Sequence, residues 1–235
     1  MNEIESLFRI LEKRRSIRRY TPEPVPPAMI EKCLQAAILA PNSSNTQTWD
    51  FYWLRSPEAK AAGVRACLSQ SAARTAQELV VITANPKAWR RSQGSLIQWV
   101  KDAKAPAQIL LYYERLVPFV YRWGFLNMFA PFKWIAANSV GLFRPIVRGP
   151  YSRRDIQEVA VKSAALAAEN FVLAATAQGL QTCMMEGFDD CRLRRFLKLG
   201  SATKIVMVIS VGFEAERGTW APRHRLPLRD VVHEV

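Results

Sequence analysis

Five cations stand within seven residues near the amino terminus, at residues 13–19 (KRRSIRR). A guanidinium group donates two parallel hydrogen bonds to one phosphate, so clustered arginines beside a hydroxyl suit a phosphate dianion. The same run at the end of a helix is also typical of a solvated surface. The candidates for a phosphate site are therefore Arg14, Arg15, Ser16 and Arg18, with a solvated helix end as the alternative.

Two further stretches contain residues suited to ligand binding. Residues 40–49 (APNSSNTQTW) place six small polar residues between a predicted helix and a predicted strand. Their amides and hydroxyls either bind the edge of a heterocycle or satisfy the loop's own backbone. Residues 184–190 (MMEGFDD) contain Gly187, which permits close approach of the backbone to a ligand. The alternative is an ordinary turn in which Asp189 or Asp190 caps the next helix.

The elements that position these stretches follow from hydrophobic periodicity. Helical spacing predicts a first helix that ends near Lys13, and a second that begins at Pro27 and ends before Pro41. Alternating helices and strands predict a mixed α+β or α/β arrangement. Strands are predicted at 49–54, 78–84, 180–185 and 205–213, the last one central, and a long alanine-rich helix at 157–179, in the core or at a subunit interface.

Composition limits the classes of protein. The 235 residues are 49% hydrophobic and 23% charged, which indicates one globular domain over residues 1–235. The net charge of +13 predicts attraction to phosphates, anionic membranes or acidic substrates. Four cysteines without CxxC spacing and two histidines argue against a metal site. The first ten residues lack a signal-peptide pattern, so we expect a cytoplasmic protein.

Residues 110–150 are aromatic and apolar, and they contain Pro118, Pro131 and Pro145. Interspersed cations leave no uncharged run as long as the ~18–20 residues that span a membrane. Three interpretations stay open. The segment is a lid or helical insertion over an active site, a dimer-interface arm, or a peripheral membrane contact through about 115–147.

Four motifs, taken in order, resemble the FMN-dependent nitroreductase family. The resemblance covers about residues 1–85 and 155–235. It implies a nitroreductase-like α+β fold, with a central, mostly antiparallel sheet flanked by helices and a long aromatic, apolar helical insertion at about 110–150. The motifs are RRSIRRY (14–20), PNSSNTQTW (41–49), EGF (186–188) and PRHRLP (222–227).

The resemblance implies non-covalent FMN at the interface of a homodimer, with NAD(P)H as the electron donor. Arg14 and Ser16 would contact the phosphate end of FMN, with Arg15 nearby. Arg223 and Arg225 would approach the same phosphate from the carboxyl-terminal end.

The flavin ring would meet the other candidates. Arg18 would lie beside its pyrimidine edge, where a cation stabilises the reduced anion. The side-chain amide of Gln70, with Ser69 as a near alternative, would hydrogen-bond to the same pyrimidine edge. The partner-subunit loop would contribute Asn42, Ser43 and Asn45, and the segment near flavin N5 would be Glu186 and Gly187.

The implied function is an NAD(P)H oxidoreductase that works by ping-pong exchange through one pocket and needs no catalytic protein residue. Aromatic residues in 110–150 favour a flat apolar acceptor such as a nitroaromatic or a quinone. The alternatives are a specialised branch of the same fold, for reductive dehalogenation or flavin fragmentation, and a non-enzymatic flavin carrier. We expect no nucleic-acid partner, because phosphate binding already explains the cations in the two basic motifs.

Overall fold

A four-stranded antiparallel sheet forms the centre of the fold, as seen in a computed structural model that describes residues 2–235. The spatial order is β1-β2-β4-β3, and all three neighbouring pairs are antiparallel, which confirms the predicted sheet. β4 has a neighbour on each side, as its apolar sequence predicts. In chain order the strands are β1 (Trp49–Trp53), β2 (Glu78–Ala84), β3 (Gln181–Met185) and β4 (Lys204–Gly212).

The helix ends carry local sequence signals. Pro27 occupies the first turn of α2, where its missing N–H is not needed. Ser152 and Asp155 form a capping box before α9, and Gly179 follows that helix with φ +86°. The helices are α1 (Glu3–Lys13), α2 (Pro27–Ile38), α3 (Pro57–Ala66), α4 (Ser71–Thr75), α5 (Trp89–Asp102), α6 (Ala107–Leu111), α7 (Val117–Tyr121), α8 (Ala130–Val140), α9 (Arg153–Ala177) and α10 (Asp190–Phe196).

The long helix α9 packs on the sheet and on α2. Ala160, Ala164, Ala167 and Phe171 are fully buried in this core, which explains why α9 is rich in alanine. By length and composition α9 would be able to cross a membrane, but half of its apolar stretch is buried inside the chain. We therefore regard α9 as a core helix.

The insertion at 110–150 is helical, as predicted, and packs against α5. Tyr113, Val117 and Tyr121 share a small buried cluster with Trp89 of α5. Lys133 of α8 is buried too; its ammonium group donates to the carbonyl oxygens of Val120 at 2.8 Å and Arg122 at 2.6 Å. Burial lowers the pKa of Lys133 below its ordinary value. These bonds fasten α8 to the end of α7.

The segment after α1 joins the two ends of the chain. Ser16 forms an isolated parallel bridge with Thr182 of β3, and the Ile17 N–H donates to the Thr182 carbonyl at 2.9 Å. The Arg18 N–H then donates to the Gly218 carbonyl at 2.8 Å. Residues 14–18 thus lie between the edge strand β3 and the carboxyl-terminal segment.

Candidate cofactor site

Arginines from both ends of the chain converge on one cleft of about 280 Å³. Neither aspartate nor glutamate lines it within the described part of the chain. A cleft of uncompensated cations concentrates positive potential and attracts an anion. Its lining residues are Arg14, Arg15, Ser16, Arg18, Thr219, Trp220, Ala221, Pro222, Arg223, His224 and Arg225.

Two of these arginines tie the termini together. Arg223 donates to the carbonyl oxygens of Leu11 at 3.2 Å and Glu12 at 2.7 Å, and to that of Arg14. Arg15 donates to the Ala221 carbonyl at 2.5 Å. Burial lowers the pKa of Arg223, and repulsion from Arg14 and the other arginines lowers it further. The cleft is thus held in place by hydrogen bonds to main-chain carbonyls, at the cost of crowding like charges.

The remaining cations differ in their contacts. Within residues 2–235 the Arg14 side chain makes no hydrogen bond, and Arg225 donates only to the carbonyl of its neighbour His224, at 2.7 Å. Both guanidinium groups are therefore available to an anion. Ser16 lines the same cleft.

Arg18 lies over an aromatic ring that the sequence reasoning missed. Its guanidinium carbon is 4.1 Å from the centroid of Trp220, a cation–π contact that fixes the side chain. Burial raises the pKa of the nearby Cys183 thiol, and the Arg18 charge opposes that rise. The sequence offered one signal for this contact: Trp220 lies three positions before Arg223, in an arginine-rich tail, and arginine often stacks on tryptophan.

Gln70 contacts the third motif directly. Its Nε2 donates to the Gly187 carbonyl at 3.0 Å, and the Asp189 N–H donates to the Ala66 carbonyl at 2.7 Å. Gln70 is the N-cap residue of α4, whereas Ser69 has φ +51° in the preceding loop. A Cβ added at Gly187 would meet nothing within 4 Å, so space is open beside Glu186 and Gly187. Asp189 caps α10, which is the alternative that the sequence allowed for this stretch.

The loop with Asn42, Ser43 and Asn45 has strained backbone. Ser44, Asn45 and Gln47 all have positive φ, near +50°. The Asn42 Oδ1 accepts from the Gln47 N–H at 2.8 Å. Asn42 thus serves the loop's own backbone, which is one of the two alternatives that the sequence allowed.

This loop and the arginine cleft lie at diagonally opposite corners of the sheet. Trp49, which follows the loop, faces Ala84, and Ala84 faces Lys204. Thr182, beside the cleft, faces Val211 at the other end of β4. The two corners are separated by seven residues along β4 and by three strand spacings across the sheet. This corresponds to a distance of roughly 25 Å. One chain therefore does not bring all the candidate residues together.

The loop instead meets the insertion. The Ser44 and Tyr112 hydroxyl oxygens are 2.5 Å apart, and the Tyr121 hydroxyl donates to the Ser43 main-chain carbonyl at 3.5 Å. A mainly apolar cavity of about 510 Å³ begins at Ser43 and Ser44 and extends between α7 and α8. Tyr112 was not singled out from the sequence, because the insertion offered no pattern that relates it to the loop.

The fold is that of an α+β protein, and five arginines line its basic cleft. Residues 11–213 match the model of the Nitroreductase family, and the chain belongs to that family. A protein named NADH dehydrogenase from Thermus thermophilus is 28% identical over 94% of this chain and 91% of its own length.

Two further relatives are informative. A crystal structure from Exiguobacterium sibiricum, of a protein assigned as a nitroreductase in complex with FMN, has a TM-score of 0.73, 22% identity and 97% coverage of both chains. Iodotyrosine deiodinase 1 from Sus scrofa is 24% identical over 97% of this chain and 68% of its own length. The first likeness shows the nitroreductase fold. The match of the family model over residues 11–213, which include the first three motifs, confirms the family resemblance.

Proposed function

We propose that the protein is an FMN-dependent NAD(P)H oxidoreductase. The observation that carries the proposal is the convergence of five arginines, from both ends of the chain, on a cleft whose described lining contains no carboxylate. Family membership and the FMN complex of the structural relative support the same cofactor. When bound, FMN would supply the chemistry that accepts hydride from NAD(P)H and passes electrons to an acceptor.

The residues of the cleft fit the phosphate group of FMN by charge. Arg14, Ser16 and Arg225 would hold its phosphate. In residues 2–235 the Arg14 and Ser16 side chains make no hydrogen bond and Arg225 uses only one N–H, for the His224 carbonyl, and guanidinium forks match phosphate oxygens. Arg15 and Arg223 would position that group, since their hydrogen bonds join the two termini.

The ring of FMN would lie toward Arg18, Gln70 and Gly187. Trp220 holds the Arg18 charge in a fixed place, which would stabilise negative charge on a reduced ring. Gln70 holds the Gly187 carbonyl, and so orients the main chain beside Glu186. None of these residues needs to donate or accept a proton for the exchange.

We propose a homodimer in which each site uses two chains. The loop with Asn42, Ser43 and Asn45 is too far from the cleft of its own chain, so a second copy would supply it. α1 also exposes Ile4, Leu7 and Phe8, which a second copy would cover. NAD(P)H and the acceptor would then use one pocket in turn.

The acceptor we propose is flat and apolar, such as a nitroaromatic or a quinone. The cavity beside Ser43 and Ser44 supports this class, since Tyr112, Val117 and Tyr121 line it. A second candidate is reductive dehalogenation, which the similarity to iodotyrosine deiodinase 1 favours. Iodotyrosine therefore belongs in the acceptor panel beside nitroaromatics and quinones.

Anaerobic mixing of the FMN-loaded protein with NADH or NADPH tests the proposal. We expect the visible band of oxidised flavin to bleach, and to return when a quinone or nitroaromatic is added. If the band persists with both nicotinamides but bleaches with dithionite, the protein is a flavin carrier and the proposed activity is wrong.

A further inference from the structure

The insertion exposes many large apolar side chains. Phe125, Leu126 and Phe143 are 80%, 84% and 88% exposed. Soluble monomers rarely expose so many large apolar groups unless the surface binds something. Other exposed members of the same segment are Phe119, Phe132, Trp134, Ile135, Leu142 and Val147.

Basic residues outnumber acidic residues around these side chains. Residues 107–150 contain a single acid, Glu114, against five cations. A two-fold contact that pairs this face with itself would bring like charges together, which disfavours a second copy as the occupant. An anionic surface complements the face in charge and in polarity. The exposed cations are Arg115, Arg122, Arg144 and Arg148, and the fifth, Lys133, is buried.

We propose that residues 107–150 lie on the surface of an anionic lipid bilayer. Exposed Trp, Phe and Leu side chains beside Lys and Arg suit the boundary between lipid headgroups and acyl chains, and the cations are attracted to anionic lipids. Phe132 and Trp134 project from α8 with exposed side chains, while Arg115 and Arg144 are exposed nearby in the same segment. The buried Lys133 fixes α8 to α7, so the face keeps its shape.

The interior of the insertion extends from this face toward the loop at Ser43 and Ser44. A cavity of about 810 Å³ is lined by Arg115, Phe129 and Phe132. It shares Phe119 and Lys133 with the cavity that reaches Ser43 and Ser44. If the proposed two-chain oxidoreductase site holds, these neighbouring cavities would place a lipophilic acceptor from the bilayer beside the loop that completes the partner's site. Bilayer binding itself does not depend on that function.

Flotation of the full chain with vesicles tests bilayer binding without any flavin readout. The probes are phosphatidylcholine vesicles with and without phosphatidylglycerol, at low and high salt. We expect flotation only with the anionic vesicles at low salt. The double variant Arg115→Gln/Arg144→Gln should bind about 25-fold more weakly, because each cation near an anionic surface contributes roughly a factor of five. Phe132→Ser/Trp134→Ser should lose flotation as well.

The matched control is Arg65→Gln/Arg195→Gln, which removes the same charge from exposed positions in α3 and α10. It should float like the wild type. Circular dichroism of every variant reports its folding. The proposal is overturned if the wild-type protein stays at the bottom of the density gradient with anionic vesicles at low salt. It is also overturned if the control loses as much binding as the insertion variants, or if the insertion variants float unchanged.

Discussion

The guanidinium group of Arg223 donates a hydrogen bond to the main-chain carbonyl oxygen of Arg14, 209 positions earlier in the chain. The same group also binds the carbonyls of Leu11 and Glu12, at the end of α1. A cation there satisfies carbonyls that the helix leaves unpaired, and it complements the helix dipole. The carboxyl-terminal tail thus stabilises the helix that presents the amino-terminal arginines.

Arg223 and Arg225 should therefore differ when each is replaced by glutamine. Arg223→Gln should lower the free energy of unfolding of the apoprotein by about 1 kcal/mol, because the end of α1 loses its cap. Arg225→Gln should change it by less than about 0.5 kcal/mol, since Arg225 binds only its neighbour's carbonyl. Both should weaken FMN binding about 10- to 100-fold. Urea unfolding and flavin fluorescence titration measure the two effects, and equal destabilisation would refute the separate roles.

Gln70 and Ser69 form a second matched pair. Gln70→Ala removes the hydrogen bond to the Gly187 carbonyl, so the main chain beside Glu186 loses its restraint. We expect FMN affinity to fall about 5- to 10-fold, which corresponds to one neutral hydrogen bond. Ser69→Ala should leave the affinity unchanged. Titration of both variants with FMN decides between the two positions, and a larger loss in Ser69→Ala would reverse the assignment.

Subunit complementation tests the division of the site between two chains. Arg14→Gln/Arg225→Gln damages the cleft, and Ser43→Ala/Asn45→Ala damages the loop at the opposite corner of the sheet. Each variant alone should have little NAD(P)H-dependent activity. Co-expression with two tags should restore about a quarter of the wild-type activity, because random pairing leaves one site in four undamaged. Activity no higher than the sum of the two variants would show that loop and cleft do not meet across an interface.

Alkaline stability should depend on Cys33. Burial raises its pKa to about 12 from 9.0, and the hydrogen bond from Gln178 only partly opposes the rise. The unfolded chain therefore loses this proton at a lower pH than the native chain. The associated stability is fully present below pH 9 and is lost as the pH rises toward 12.

The Cys33→Ala variant should show a flatter decline of the free energy of unfolding between pH 9 and pH 11. One such proton accounts for up to ~1.4 kcal/mol per pH unit. The exposed Cys191 offers the control, and Cys191→Ala should keep the slope of the wild type. Urea unfolding across this range measures the slopes, and identical slopes for wild type and Cys33→Ala would contradict the account.

Local signals made part of the fold predictable. Pro27 marks the start of a helix because proline is favoured in the first helical turn. Gly179 marks the end of a helix because glycine is favoured just after the last turn, where φ is positive. The alternating or continuous apolar runs of β1, β2 and β4 likewise specify strands. α3 and α4 were not predicted, since they are short and rich in alanine and so lack a clear apolar repeat. α5 was not predicted either, although its buried Trp89, Leu96 and Val100 recur at helical spacing.

Contacts between segments that are distant in the chain could not be predicted from the sequence. The stacking of Arg18 on Trp220 and the bond between Ser44 and Tyr112 depend on which segments the topology brings together. Arg223 was expected at a phosphate, and its three carbonyl partners in α1 and just beyond were not foreseen. Motif order indicated which residues belong to the site, but only the packed chain shows which of them hold one another in place.

The visible spectrum of the purified full chain tests the central claim most directly. After incubation with FMN and removal of the unbound cofactor, the account predicts the absorption of oxidised flavin, at one FMN per chain. The Arg14→Gln/Arg225→Gln variant should lose that absorption while it keeps the circular dichroism of the wild type. A colourless wild-type protein that does not retain added FMN would contradict the account.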